Sequence, residues 1–327
     1  MTRTFEDKPA VRTSVPLMIG VMGPSGGGKT FSALRLATGI QRVSGGDIFM
    51  IDTEARRGLH YADRFTFRHL AFAAPFSPLD YLAAIEHCVA KGAKTIIVDS
   101  MSHEHEGPGG VLEWHEAELS RMGGGDKNNF RAWAAPKAAR RRMINTMLQL
   151  PCNFVFCFRA KDKAKPGKDD NGKTALIDFG FMPIAGEEFV YEMTLNALLM
   201  PNAGGVPTWQ SDYRGERQMI KLPQQFVELF RNPEPLSEDI GERMARWAAG
   251  GSVAPAGAPQ PRKPAEPGCF RTGQLEGRPL ADGGIDALVE YETEIKAMAE
   301  RSKSPGQRQA IQTHLAEIDA MIKSKEG

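Results

Sequence analysis

Gly23-Pro24-Ser25-Gly26-Gly27-Gly28-Lys29-Thr30 follows the apolar run Val15 to Met22 (VPLMIGVM) and precedes a helix-like stretch, Phe31 to Ile40. That order is strand, glycine-rich turn, helix, with the G-x-x-x-x-G-K-T spacing of a phosphate-binding loop. Glycines let successive backbone N–H groups curl around a polyphosphate without Cβ obstruction. The positive end of the following helix adds to the attraction for the anion. Lys29 is expected to reach the β- and γ-phosphates, and the Thr30 hydroxyl to help hold Mg²⁺. The expected ligands are therefore a nucleoside triphosphate and Mg²⁺. The expected contacts are Gly23, Pro24, Ser25, Gly26, Gly27, Gly28, Lys29 and Thr30, with Phe31 opening the helix.

Around this loop the chain alternates between strand and helix signals. Asp47 to Asp52 (DIFMID) reads as a short buried strand, Phe65 to Phe72 as another, and Ser77-Pro78-Leu79-Asp80 as a helix start with an N-cap serine and proline at the first position. Thr95 to Ser100 (TIIVDS) runs four β-formers into an acid, and Asn153 to Phe158 (NFVFCF) is a further buried strand. Such alternation predicts an α/β fold with a mostly parallel sheet, which presents ligands at the carboxyl ends of its strands. Asp52, Glu54 and Asp99 should then lie near the phosphate loop. Asp99 is preferred over Asp52 for the magnesium shell because a full helix precedes its strand and Ser100, a second possible hydroxyl ligand, follows. Glu54, two residues past a strand end, is placed on the ligand side, where a group that orients or deprotonates water is needed.

Elsewhere the expectations are less chemical. Residues 101–127 read as a glycine-rich polar loop; its His103-Glu104-His105-Glu106 cluster invites a metal, but no third ligand stands at a recognisable spacing. A helix is expected over about 130–150. Residues 161–173 (KDKAKPGKDDNGK) read as a loop from their Pro-Gly and Asn-Gly turn signals. Ala175 to Pro183 and Phe189 to Met200 read as further strands, 202–218 as turn-rich, and Ser237 to Ala249 as a closing helix.

The 327 residues are 41% hydrophobic and 25% charged, enough for a sizeable core, and the net charge of +1 gives no global attraction to nucleic acid or membrane. Cys88, Cys152, Cys157 and Cys269 lack paired metal-ligand spacing, which suggests a reducing compartment without disulfides or zinc. The first 14 residues hold no signal core, so a soluble, cytoplasmic protein (in a host's cytoplasm if phage-encoded) with no membrane partner is expected. The predicted organisation is a loose arm over 1–14, an ATPase core over 15–249, an Ala/Pro/Gly-rich linker over 250–281 and a helical hairpin over 282–327. The hairpin carries Ile311, Leu315, Ile318 and Ile322 at heptad-like intervals after a capping box at Ser304.

Ile51-Asp52-Thr53-Glu54, followed by Tyr61-Ala62, resembles the corresponding stretch of the RecA-type recombinase core. Val98-Asp99-Ser100 looks like that family's magnesium-binding strand end, and Phe158-Arg159-Ala160-Lys161 is similar to the strand end where RecA- and KaiC-like ATPases keep γ-phosphate sensors. Over roughly 15–249 the order of features also resembles the short RecA-core ATPases of bacteriophages, some of them single-strand annealing proteins. The resemblance implies that the triphosphate is ATP, that Glu54 is the general base, that Tyr61 stacks on adenine, and that Arg159 and Lys161 sense phosphate or complete a neighbouring subunit's site. It implies homo-oligomeric rings or filaments on single-stranded DNA, with a possible replication or recombination partner. Fourteen polar residues are too few for a recombinase's N-terminal oligomerisation segment, so annealing or a nucleotide switch is expected rather than full strand exchange. DNA contact is expected from 161–173, with five lysines against three aspartates, or from Lys137, Arg140, Arg141 and Arg142. The alternative is an ATP-gated adaptor or loader whose helical tail docks a replication or packaging partner.

Overall fold

A computed structural model describes residues 7, 14–168, 173–250, 280–282, 284–301 and 305–326. Six strands form a parallel sheet: β1 (Met18–Gly23), β2 (Ile48–Asp52), β3 (Arg68–Ala71), β4 (Thr95–Asp99), the first half of β5 (Asn153–Lys168) and β7 (Leu195–Leu198). β6 (Thr174–Pro183) pairs antiparallel with the second half of β5. The order is β3-β2-β4-β5-β1-β7, so β5 separates the phosphate-loop strand from the strand ending in Asp99. The α/β parallel fold expected from the alternation is the fold observed.

The helices are α1 (Lys29–Ser44), α2 (Pro78–Ala90), α3 (His103–Glu106), α4 (Val111–Arg121), α5 (Asp126–Ala132), α6 (Ala134–Met147), α7 (Glu187–Tyr191), α8 (Arg214–Met219) and α9 (Glu238–Ala248). Successive residues of a strand point to opposite faces, and β5 shows it: Phe154, Phe156 and Phe158 join α2 and α6 in one core, while Val155 and Cys157 join α1 and α9 in the other. Both faces are covered, which is why the strands read as continuous apolar runs. α1 and α9 touch backbone to backbone; a Cβ on Gly39 would collide with the Glu238 carbonyl and one on Gly241 with the Leu36 carbonyl.

Five expectations change. Residues 161–168 are not a loop but the outer half of β5, and the strand expected over 175–183 is present as β6 and pairs with it to form a hairpin arm. The stretch 101–127 contains α3, α4 and the start of α5, and the helix expected over 130–150 is split at Trp133 into α5 and α6. The Phe189–Met200 run begins inside α7 and only Leu195–Leu198 is strand. The turn-rich 202–218 holds α8.

The chain divides into two units, up to Ala256 and from Gly257. In the second, α10 (Ile285–Arg301) and α11 (Pro305–Glu326) enclose Leu288, Tyr291, Ile295, Ile318 and Ile322. Leu280, assigned above to the linker, is fully buried in that small core on a 3₁₀ turn. The expected arm at 1–14 lies almost wholly outside the described residues, as do most of the linker and the capping box at Ser304. Among the described residues no helix is long and apolar enough to cross a membrane.

Candidate active site

A cleft of about 670 Å³ opens at the carboxyl ends of β1, β4 and β5. Its floor is the phosphate loop. Gly26 and Gly28 take φ of 79° and 86°, a left-handed conformation that glycine adopts without strain. A Cβ on Gly27 would lie 2.7 Å from the Leu199 carbonyl at the end of β7, and one on Gly23 would collide with the same atom. The loop is thus packed against its neighbouring strand so closely that side chains are excluded. Ser25, Gly26, Gly28, Lys29 and Thr30 line the cleft, while Gly23, Pro24, Gly27 and Phe31 are not among its lining residues.

Lys29 and Thr30 open α1. The Lys29 ammonium donates to the Pro24 carbonyl at 2.7 Å, and burial lowers its pKa against the opposing pull of Asp99 and Glu54. Thr30 Oγ1 donates to Asp99 Oδ2 at 2.5 Å. Asp99, 4% exposed, has its pKa pushed up to about 6 by burial, with the Thr30 hydrogen bond pulling the other way. Hydroxyl and carboxylate oxygens side by side are donors suited to a hard cation such as Mg²⁺. Asp52, the competitor, is engaged locally: its carboxylate accepts from the amides of Glu54 (2.7 Å) and Gly58 (2.9 Å) and lies 3.0 Å from His69 Nε2. Ser100 does not present its hydroxyl to the cleft; the group is buried and donates to the Cys157 carbonyl at 3.3 Å.

Glu54 reaches the cleft and is held in a two-bond clamp by Arg159, Nε to Oε1 at 2.8 Å and Nη2 to Oε2 at 2.6 Å. This charge-assisted fork raises the Arg159 pKa, chiefly through the Glu54 hydrogen bonds. Two residues along β5, Lys161 pairs with Glu106 at 3.2 Å, its side chain mostly exposed on the root of the arm. Tyr61 ends a 3₁₀ turn (Arg57–Tyr61), lines the cleft, and packs its ring 5.9 Å from that of Phe31. Phe65 packs against Phe31 edge-on at 5.4 Å, so α1 and the 3₁₀ turn share an aromatic patch beside the cleft.

Several residues without an assigned role in the sequence reading belong to this site. Arg57 and Glu106 line it, and Ser102 Oγ accepts from the Arg159 amide at 2.9 Å. Thr53 lies inside the recognised Asp-Thr-Glu stretch, yet its partners come from 47 residues away and leave no local trace. Of the basic helix patch, Arg140 turns inward. It is 4% exposed, forks onto Glu104 at 2.9 and 2.8 Å, and touches Glu188 at 3.3 Å, so it is structural rather than available to DNA. His105 donates no free ligand either, lying 2.9 Å from Arg140, whose charge adds to burial in pulling its pKa down to about 4. Among the described residues no group of three His, Cys, Asp or Glu side chains is arranged to hold a metal.

No curated protein matches the sequence. Residues 15–187, from the first strand through the arm, match the AAA domain family. With the phosphate loop, the buried aspartate beside Thr30 and the parallel sheet that joins them all inside that span, this chain belongs to the AAA domain family of P-loop proteins.

Proposed function

We propose that the chain hydrolyses ATP with Mg²⁺ and couples the cycle to single-stranded DNA in annealing, recombination or replication, assembling as a homo-oligomeric ring or filament like the short RecA-core proteins of bacteriophages it resembles. The observation that carries the hydrolytic part is the convergence of Lys29, Thr30, Glu54 and Asp99 in one cleft. Lys29 and the loop amides bind the phosphates, and Tyr61 offers its ring to the base. Mg²⁺, when bound, supplies charge neutralisation at the β- and γ-phosphate oxygens; Thr30 and Asp99 are the side chains that would hold it. Glu54 orients and deprotonates water once its carboxylate exchanges Arg159 for that water. Arg159 is then free for the γ-phosphate, and in this reading it and Lys161 act at the boundary with a neighbouring subunit.

For DNA the support is the arm. Lys161, Lys163 and Lys165 run along its β5 side, and Lys165 Nζ stands 4.9 Å over the Phe179 ring on the facing strand. Cations beside an aromatic face are what a single-strand binder uses. ATP turnover measured with and without single-stranded DNA at two salt concentrations tests the coupling: stimulation that fades with salt is expected. Lys29→Ala should lose nucleotide affinity, and Glu54→Gln should bind but not turn over; normal hydrolysis by Glu54→Gln would remove Glu54 as the base. Absence of any DNA response would favour the adaptor or loader reading, which the separately cored α10–α11 unit supports.

A further inference from the structure

His103 begins α3 four residues beyond Asp99, and its ring lies flat on Phe76, centroids 5.0 Å apart and planes 24° apart. Its Nδ1 is 2.7 Å from Thr53 Oγ1. Thr53 is buried and stands between Asp52, which ends β2, and Glu54. Its amide donates to the Asp99 carbonyl at 2.8 Å. Its hydroxyl accepts from the Ser100 amide at 2.8 Å and faces the Ser100 carbonyl at 3.1 Å. Tyr81 secures the same carbonyl from the other side at 2.8 Å. Thr53 therefore stitches the end of β2 to the end of β4, at the junction from which Glu54 and Asp99 both leave the sheet.

A hydroxyl has one hydrogen to give and two lone pairs to receive. All three contacts of Thr53 Oγ1 are hydrogen bonds under one assignment only. Its hydrogen goes to the Ser100 carbonyl, and the Ser100 amide and His103 Nδ1–H both donate to its oxygen. That assignment, chosen because it satisfies all three contacts, gives the imidazole as the Nδ1–H tautomer. Burial lowers the His103 pKa, with Arg159 adding to the effect, which favours the neutral ring. Its own atoms are not among those lining the cleft.

We propose that His103 is a positioning residue for hydrolysis: by donating to Thr53 it holds the β2–β4 junction in the geometry that aims Glu54 at the water, in register with Asp99. This rests on the ATPase reading above. The contribution belongs to turnover rather than nucleotide grip, because the phosphate loop lies on β1, two strands from β4. An error of about 1 Å in aiming a reacting group costs up to about 100-fold in rate.

The test compares ATP binding and steady-state hydrolysis in the full chain carrying His103→Leu, His103→Asn or His103→Gln. Asparagine places a donor where Nδ1 stands, glutamine reaches the place of Nε2, and leucine offers bulk without a donor. Leucine should leave the ATP Kd within about threefold and lower kcat by about 10- to 100-fold. Asparagine should recover most of that loss, and glutamine should not. Wild-type kcat in the leucine variant overturns the proposal, as does an asparagine variant no better than leucine. Rescue by glutamine but not asparagine would assign the role to Nε2 and overturn it as well. If the leucine variant does not fold, the asparagine–glutamine comparison decides alone. Absence of turnover in the wild-type protein would sink the ATPase reading itself, and the positioning role with it.

Discussion

Asp52 and Asp99 end neighbouring parallel strands, face each other in register, and are both almost wholly buried, yet they are used differently. Asp52 spends its oxygens on the chain that follows it, capping the amides of Glu54 and Gly58 and meeting His69. Asp99 has Thr30 across the sheet as its hydrogen-bond partner. The chemistry of the two side chains is the same; what separates them is lateral position. One strand, β5, stands between Asp99 and the phosphate-loop strand, and two stand between that strand and Asp52. Which partner each acid finds follows from which strand end faces the loop, not from which acid ends an apolar run.

The contrast can be broken by exchange. Asp99→Asn should lower magnesium-dependent ATP turnover by about 10²–10³, in line with removal of one preorganised electrostatic group. Asp52→Asn should keep turnover within roughly tenfold on the same scale. Comparable losses in the two variants would erase the distinction.

Proton uptake sharpens it. Asp99 has a folded-state pKa of about 6, above its ordinary value. The folded protein therefore binds more protons than the unfolded chain between about pH 4 and 6, and this group's contribution to stability falls as pH rises through that window, by at most about 3 kcal/mol. Urea unfolding of the metal-free protein at pH 4.5 and 7 should show that loss, and Asp99→Asn should abolish it. Mg·ATP affinity should run the opposite way, weakening as pH drops below about 6, because the cation must displace the proton.

The smallest effect concerns Asp52. Its loss leaves two buried amides with a poorer acceptor, so Asp52→Asn should cost about 1–3 kcal/mol in urea unfolding at pH 7. Loss of activity without loss of stability would mean that Asp52 does more than shape the turn carrying Glu54.

Features carried by short-range chemistry were legible in the sequence. The phosphate loop announces itself by spacing, and the start of α2 by Ser77, whose hydroxyl caps the Asp80 amide at 3.2 Å. Strands such as β4 stand out because a parallel sheet buries both faces. What escaped depends on partners distant in sequence. The arm looks like a loop because Pro166-Gly167 interrupts it, and only its pairing with 174–183 makes it strand. α7 hides in an apolar run that short-range periodicity cannot divide between helix and strand. In the site, Lys29, Thr30, Glu54, Asp99 and Tyr61 do come together, whereas the Arg159–Glu54 clamp spans 105 residues and the Arg140–Glu104 pair 36. Charge runs say nothing about which arginine turns inward; a buried fork on a carboxylate is decided by packing.

β5 has one further consequence. It is a single strand of 16 residues whose first half lies beside Val21 and Asp99 and whose second half forms the arm. Arg159, which clamps Glu54, sits where the two halves meet. The same strand that carries the arm therefore carries, at its root, the guanidinium that holds the acid at the centre of the cleft, and the irregularity in its pairing with the facing strand falls between Asp162 and Ala164, just beyond that clamp.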